Sequence, residues 1–251
     1  MPLLELENVV AGYGFGDVLR GVDLSIEAET ITCLIGPNGA GKSTVLKTIS
    51  GLLHPRLGSI RFEGTAIHER RPRSVLTLGI VQVPQERGLF PLMSVWENVL
   101  IGGYILDDQR EARRRADALG ERFPLLRERR DERAGSLSGG EQKIVEIARA
   151  LMLDPKLLLF DEPSAGLAPR ARTQVFDVLG SLHGGGWTIL LVEQNARSGL
   201  AIADRGAILD SGLVKLEGPA GSLLSDPEVA RLYLGRKKQT AHPARRRSRF
   251  S

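Results

Sequence analysis

The sequence predicts an α/β protein: a core of buried strands and helices, opened by antiparallel strands and interrupted by a helical insert. Three observations carry this. Residues 31–35, 157–160 and 188–192 are short, nearly unbroken apolar runs, as expected of strands covered on both faces. Residues 4–9 and 22–26 instead alternate apolar and polar, the pattern of strands with one wet face. Between about 86 and 153 no convincing strand appears, and the apolar spacing there is helical. A chain of 251 residues suits one large domain with an insert.

In chain order, the antiparallel pair comes first and the 31–35 strand follows. A glycine-rich turn then leads into a helix over about 42–51. Residues 58–64 make a short strand between glycines, and 80–84 a core strand stopped by Pro84. The insert holds helices over 94–104 and 108–122. Its clearest helix spans 138–153, where Ile144, Ile147, Ala148 and Leu151 recur at helical spacing. Strands 157–160 and 188–192 return, with helices over about 169–183 and 195–203. A final β pair, 206–210 and 213–217, turns at Ser211-Gly212.

Composition narrows the classes. Apolar residues make up 42% and charged residues 25%, ordinary values for a globular chain. No run approaches the ~18 apolar residues of a membrane span. The start has neither a basic n-region nor a long apolar h-region, so no secretory signal is expected. Cys33 is the single cysteine, so no intrachain disulfide can form, and its apolar strand predicts a buried, inert thiol in a reducing cytoplasm. The net charge of +4 is misleading. Residues 236–251 carry seven Arg or Lys and no acid; without them 27 basic residues face 30 acidic ones. This tail is expected to be solvated and disordered, with contact to anionic lipid or nucleic acid the lesser alternative.

Gly36-Pro37-Asn38-Gly39-Ala40-Gly41-Lys42-Ser43-Thr44 matches GxxxxGK[ST] between a buried strand and a helix, the context such a phosphate loop requires. Its backbone N–H groups and the helix start would cradle phosphates. Lys42 is expected to reach the β- and γ-phosphates of ATP, and Ser43 to hold Mg²⁺. Asp161 ends an apolar strand, where open α/β sheets put their ligands, and is a second candidate for Mg²⁺. Glu162 beside it is suited to polarise an attacking water. These two motifs define a P-loop nucleoside triphosphatase.

Leu137-Ser138-Gly139-Gly140-Glu141-Gln142 resembles the LSGGQ signature of the ABC ATPases, 96 positions after Lys42. Ser138 reads as an N-cap followed by two glycines and a helix, a second anion-binding helix start. The resemblance implies the ABC ATPase fold: a RecA-like α/β core with an antiparallel β subdomain and a helical insert. It covers residues 1 to about 235, with the helical subdomain at about 86–153. It also implies that Ser138, Gly139 and Gly140 close over the ATP of an opposite subunit in a head-to-tail dimer. Tyr13 is similar to the aromatic that stacks on adenine. Gln85 resembles the Q-loop glutamine that contacts Mg²⁺ and water.

Two positions depart from the general ABC pattern. Gln194 stands where a switch histidine is expected, and residues 163–169 lack the usual aspartate. Glutamine can donate a hydrogen bond to a γ-phosphate but cannot take up its proton. With residues 191–196, 166–169, 203–206 and Tyr233-Leu234-Gly235, these departures resemble the LivF-type ATPases of branched-chain amino acid importers; urea-type importer ATPases are close relatives. That resemblance implies integral membrane permease partners, a second ABC ATPase in a homo- or heterodimer, and an extracytoplasmic solute-binding protein. It implies a cytoplasmic position, peripheral on the inner face of the membrane. Residues 86–98, with Phe90, Pro91, Leu92 and Met93, correspond to part of the permease groove; core packing of the insert is the competing reading. A soluble ABC ATPase for nucleic-acid work or cofactor assembly is the alternative. The short interval between motifs, without heptads or cysteine pairs, speaks against it, and nucleic acid is not an expected partner. Intact Lys42, Glu162 and Ser138 speak against a non-hydrolysing regulatory cassette.

Overall fold

The computed structural model describes residues 1–86 and 88–232. The chain opens with β1 (Leu4–Tyr13) and β2 (Gly16–Ile26), an antiparallel pair joined at Gly14-Phe15. Both strands are longer than the alternation suggests. Register shifts between Leu6 and Val9, and again near Ala11, break the period of two and hide the later half of β1 from a pattern reading. β3 (Ile31–Ile35) and α1 (Lys42–Ile49) follow, then β4 (Leu57–Phe62), β5 (Thr65–Ala66), α2 (Pro72–Thr77) and β6 (Ile80–Val83).

The helical stretch holds α3 (Val95–Leu100), α4 (Gln109–Arg122), α5 (Leu125–Glu128) and α6 (Gly139–Leu151). α3 gives way to a 3-10 turn at Ile101–Gly103, where the sequence pattern predicts one continuous helix. The consecutive glycines there are poor helix formers. β7 (Leu157–Asp161), α7 (Pro169–His183), β8 (Thr188–Glu193), α8 (Ala196–Ala201), β9 (Arg205–Asp210), β10 (Leu213–Pro219), α9 (Ala220–Ser225) and α10 (Pro227–Leu232) complete the order. The short elements β5, α2, α5, α9 and α10 have too few turns or pairs to leave a periodic signature. The basic segment 236–251 and Tyr233-Leu234-Gly235 lie outside the described residues.

Two sheets result. One is antiparallel, ordered β2-β1-β4-β5; the other is six-stranded, ordered β10-β9-β3-β8-β7-β6, with β10 alone antiparallel to its neighbour. Side chains along β7 alternate between two cores. Leu158 and Phe160 join Cys33, Ile189 and Leu191 on the face packed by α6, α7 and α8. Leu157 and Leu159 join Leu34, Leu190 and Val192 on the face covered by α1 and the antiparallel sheet. Cys33 is fully buried, and burial pushes its thiol well above the ordinary range, with the nearby Glu193 charge adding to the effect. The sheet order has a direct consequence: the carboxyl ends of β3, β8, β7 and β6 lie side by side along one edge of the core.

Candidate active site

Each of those four strand ends delivers one part of the site. β3 runs into the loop 36–41 and α1. Gly36 is required there by a close approach: a Cβ on it would lie 2.0 Å from the Leu209 carbonyl oxygen. Gly41 caps α1 at φ 109° with no side-chain cap, so the first N–H groups of α1 have no side-chain acceptor. Phosphate oxygens are the ligands such a helix start accepts.

Lys42 is 5% exposed. Its ammonium donates to the carbonyls of Gly36 (3.0 Å) and Pro37 (3.2 Å) and lies 3.6 Å from Glu162 Oε1. Three oxygens thus hold a cation where phosphate oxygens would otherwise compete for it. Ser43 Oγ donates to Asp161 Oδ1 at 3.0 Å across 118 positions of sequence. Burial pushes the Asp161 carboxyl up, against the Ser43 hydrogen bond and the charges of Lys42 and Lys47.

Glu162 follows Asp161 in the left-handed region (φ 45°), uncommon for a residue with a side chain. Its backbone N–H donates to Val192 O at 2.9 Å, turning the chain out of the sheet at that point. From the end of β6, Gln85 Nε2 donates to Glu162 Oε2 at 3.3 Å. From the end of β8, Gln194 reaches the same space. A cavity of about 520 Å³ is lined by Asn38, Gly39, Gly41, Lys42, Ser43 and Thr44 with Gln85, Glu162 and Gln194. Val18 of β2 also lines it, a contribution that no motif announces.

The signature lies elsewhere. Ser138 caps α6 in a reciprocal capping box with Glu141: the Glu141 N–H donates to Ser138 Oγ, and the Ser138 N–H to Glu141 Oε2. Ser138 is exposed, and neither it nor Gly139 nor Gly140 lines the phosphate-loop cavity of its own chain. Gly140 packs against α7, where a Cβ would sit 2.8 Å from that of Ala171. Buried Gln142 donates to the carbonyls of Ala134 and Leu137 and holds the approach to the signature. Tyr13 is exposed at the tip of the β1–β2 hairpin, with the Lys47 ammonium 5.5 Å from its ring centre.

Four positioning residues escaped the sequence reading. Glu146 of α6 accepts from the Gly88 N–H (2.8 Å), and Arg149 donates to the Gly88 carbonyl (2.6 Å), so α6 grips the loop after Gln85 from both sides of one residue. Lys143 pairs with Glu146 and reaches Pro84 O. Glu193, 1% exposed, accepts from Ser164. Glu193 offered a signal, a charge ending an apolar strand; Glu146 lies on a charged row with Lys143 and Arg149, beside the apolar stripe of its helix, and offered none.

A mononucleotide-binding loop at one strand end, with an aspartate and a glutamate at another, defines a P-loop nucleoside triphosphatase. Residues 19–165 match the ABC transporter family. The chain is 40% identical to the high-affinity branched-chain amino acid transport ATP-binding protein BraG of Pseudomonas aeruginosa, over 93% of this chain and all of the relative. It is 34% identical to the lipopolysaccharide export system ATP-binding protein LptB of Haemophilus influenzae, over 94% of this chain and 98% of that one. The crystal structure of the ADP conformation of an ATP-binding cassette of an ABC transporter superposes with a TM-score of 0.82 at 32% identity, covering 94% of this chain and all of the other. The chain belongs to the ABC transporter family and is an ATP-hydrolysing cassette. Among the described residues no helix is long and apolar enough to cross a membrane.

Proposed function

We propose that this cassette drives a membrane importer for branched-chain or related amino acids. Residues 1–235 would form its ATPase domain, with 86–153 as the helical subdomain. The cassette would bind integral permease subunits at the cytoplasmic face and work as a dimer with a second ABC ATPase. A solute-binding protein outside the membrane would deliver the cargo. The observation that carries the enzymatic part is the convergence of Lys42, Ser43, Asp161, Glu162, Gln85 and Gln194 at one cavity edge. The amino-acid part rests on the 40% identity to BraG along its whole length.

The donor set suits Mg²⁺: Ser43 Oγ and Asp161 Oδ1 are hard oxygens 3.0 Å apart, beside the Gln85 side chain. Bound there, Mg²⁺ would neutralise charge on the β- and γ-phosphate oxygens. Entering phosphate would take Lys42 from the Gly36 and Pro37 carbonyls and from Glu162. That exchange frees the Glu162 carboxylate to accept a hydrogen bond from the attacking water, with Gln85 holding its other oxygen. Gln194 would donate to the γ-phosphate without changing charge. Ser138, Gly139 and Gly140, turned away from their own cavity, would meet the nucleotide of the opposite cassette.

The permease reading has its own support. Phe90 is 48% and Leu92 80% exposed, which argues against the competing reading of these residues as insert core. Phe90 also borders an apolar cleft of about 490 Å³ with Val81, Val83, Ile101, Tyr104 and Leu153. Buried Asn98 holds that segment, accepting from the Phe90 N–H and donating to the Phe90 and Ser94 carbonyls.

The test uses Glu162→Gln, which is expected to bind ATP while hydrolysis falls by on the order of 10²–10⁴. Purified with ATP from solubilised native membranes, it is expected to bring integral permeases and a second cassette with it. Recovery of only soluble proteins or nucleic acid would overturn the importer reading, and recovery of a lipopolysaccharide exporter would reverse its direction.

A further inference from the structure

The parallel ladder between β7 and β8 ends at the pair Asp161 and Val192. The β7 segment leaves the sheet after Asp161, while β8 runs one residue further, to Glu193 paired with Ile35 of β3, and both segments then carry groups of the site: Glu162 on one, Gln194 on the other. The backbone still holds for one more bond, Glu162 N–H to Val192 O. Beyond it a side chain takes over. Glu193 Oε1 accepts from the Ser164 N–H at 3.2 Å, and Oε2 accepts from Ser164 Oγ at 3.0 Å. Ser164 in turn anchors its loop, because its carbonyl accepts from the Leu167 N–H and the Ala165 N–H donates to Glu162 O.

We propose that Glu193 is a positioning residue for hydrolysis: its carboxylate joins the Gln194 end of β8 to the loop 163–168, so that the γ-phosphate sensor and the loop leaving Glu162 keep one relative placement. The proposal rests on the reading that Glu162 and Gln194 act on ATP.

Three features distinguish this from ordinary core packing. Glu193 is almost wholly buried in a strand whose other buried residues are Thr188, uncharged, and the apolar Ile189, Leu190, Leu191 and Val192, so that an apolar side chain would fill the site without desolvating a charge. Burial and the nearby Glu162 charge push its carboxyl up, a cost that a purely structural position would avoid. Both oxygens are used on a single residue, and that residue lies two positions from Glu162. The Asn195 backbone also donates toward the carboxylate, so Gln194 is bracketed on both sides by the same anchor. Asn195 itself caps α8 through the Ser198 N–H. The loop carries no aspartate of its own, and Ser164 with Glu193 supplies a fixed point for it.

The experiment compares Glu193→Ala, Glu193→Gln, Ser164→Ala and the double Ala variant in the full chain, by steady-state kinetics with Mg-ATP, nucleotide affinity and melting temperature. Glu162→Gln runs in parallel. Glu193→Ala is expected to lower kcat by on the order of 10- to 100-fold through misplacement of the loop. Nucleotide affinity should change by less than about threefold, since the phosphate loop is untouched. Glu193→Gln should recover much of the loss, because its amide oxygen still accepts from Ser164. The double variant should lose no more than the worse single one, the signature of two groups acting as a unit. A wild-type kcat in Glu193→Ala, or losses that multiply in the double variant, would overturn the proposal. So would equal falls in kcat, affinity and melting temperature in both Glu193 variants. If Glu193→Ala does not fold, Glu193→Gln against Ser164→Ala decides the coupling. Full hydrolysis by Glu162→Gln would sink the underlying reading of the site instead.

Discussion

Replacing Glu146 by alanine tests whether α6 controls the loop that carries Gln85. In the folded chain Glu146 and Lys143 form a pair whose side chains are 2% and 8% exposed, so solvent screens it little. Lys143 Nζ lies close to Glu146 Oε2 but outside hydrogen-bond alignment, so the attraction is chiefly electrostatic. The carboxylate also offsets the burial that pulls the Arg149 guanidinium below its ordinary value. Its other oxygen accepts the Gly88 N–H. Alanine therefore strands one buried cation, weakens the setting of a second and orphans a backbone donor. Breaking a buried pair from one side costs about 3–5 kcal/mol. For a domain of this size that lowers the melting temperature by roughly 6–20 °C. The hydrolysis rate should fall with it, because Gly88 then loses its donor-side anchor three residues from Gln85. Converting both partners, Lys143→Met with Glu146→Leu, should return most of the stability and little of the rate. Urea unfolding and steady-state ATPase rates on the three proteins read both effects. A Glu146→Ala loss below about 1 kcal/mol, the range of exposed pairs, would refute the argument.

Two further outcomes are expected. Gly36→Ala would drive a Cβ toward the Leu209 carbonyl, 2.0 Å away, forcing a backbone shift that costs about 1–3 kcal/mol. Nucleotide titration should show ATP affinity falling far more than the fold does, and an unchanged affinity would count against the phosphate-loop geometry. The Glu193 carboxyl is raised from its ordinary 4.5 by burial, so the folded chain keeps that proton to higher pH than the unfolded chain does. Its contribution is fully present below pH 4.5 and is lost as pH rises from there through the folded value. The stability of the natural chain minus that of Glu193→Gln should therefore fall as pH rises above 4.5 and then level off. Urea melts across that range check the sign, and a difference that grows with pH would contradict it.

The parts that a reader of the sequence can name are those whose physics is local. A glycine-rich turn before Lys42 and Ser43, an aspartate closing an apolar strand and a serine, Ser138, capping the helix that begins at Gly139 each declare themselves within a few residues. Their meaning follows from backbone sterics, helix termini and strand burial. The core strands are legible for the same reason, since β3, β7 and β8 are continuous apolar runs. Tertiary structure decided what those parts do to one another. The contacts Ser43 with Asp161, Gln85 with Glu162, Gly88 with Glu146 and Ser164 with Glu193 join residues 118, 77, 58 and 29 positions apart. The first, second and fourth exist because the sheet places β3, β8, β7 and β6 in that order, so that four strand ends share one edge, and the third because α6 packs beside β6. Strand order is set by how whole faces pack, and no single segment's periodicity encodes it. That this chain grips phosphate is written in a few consecutive residues; which side chains hold the grip in place follows from the order of its strands.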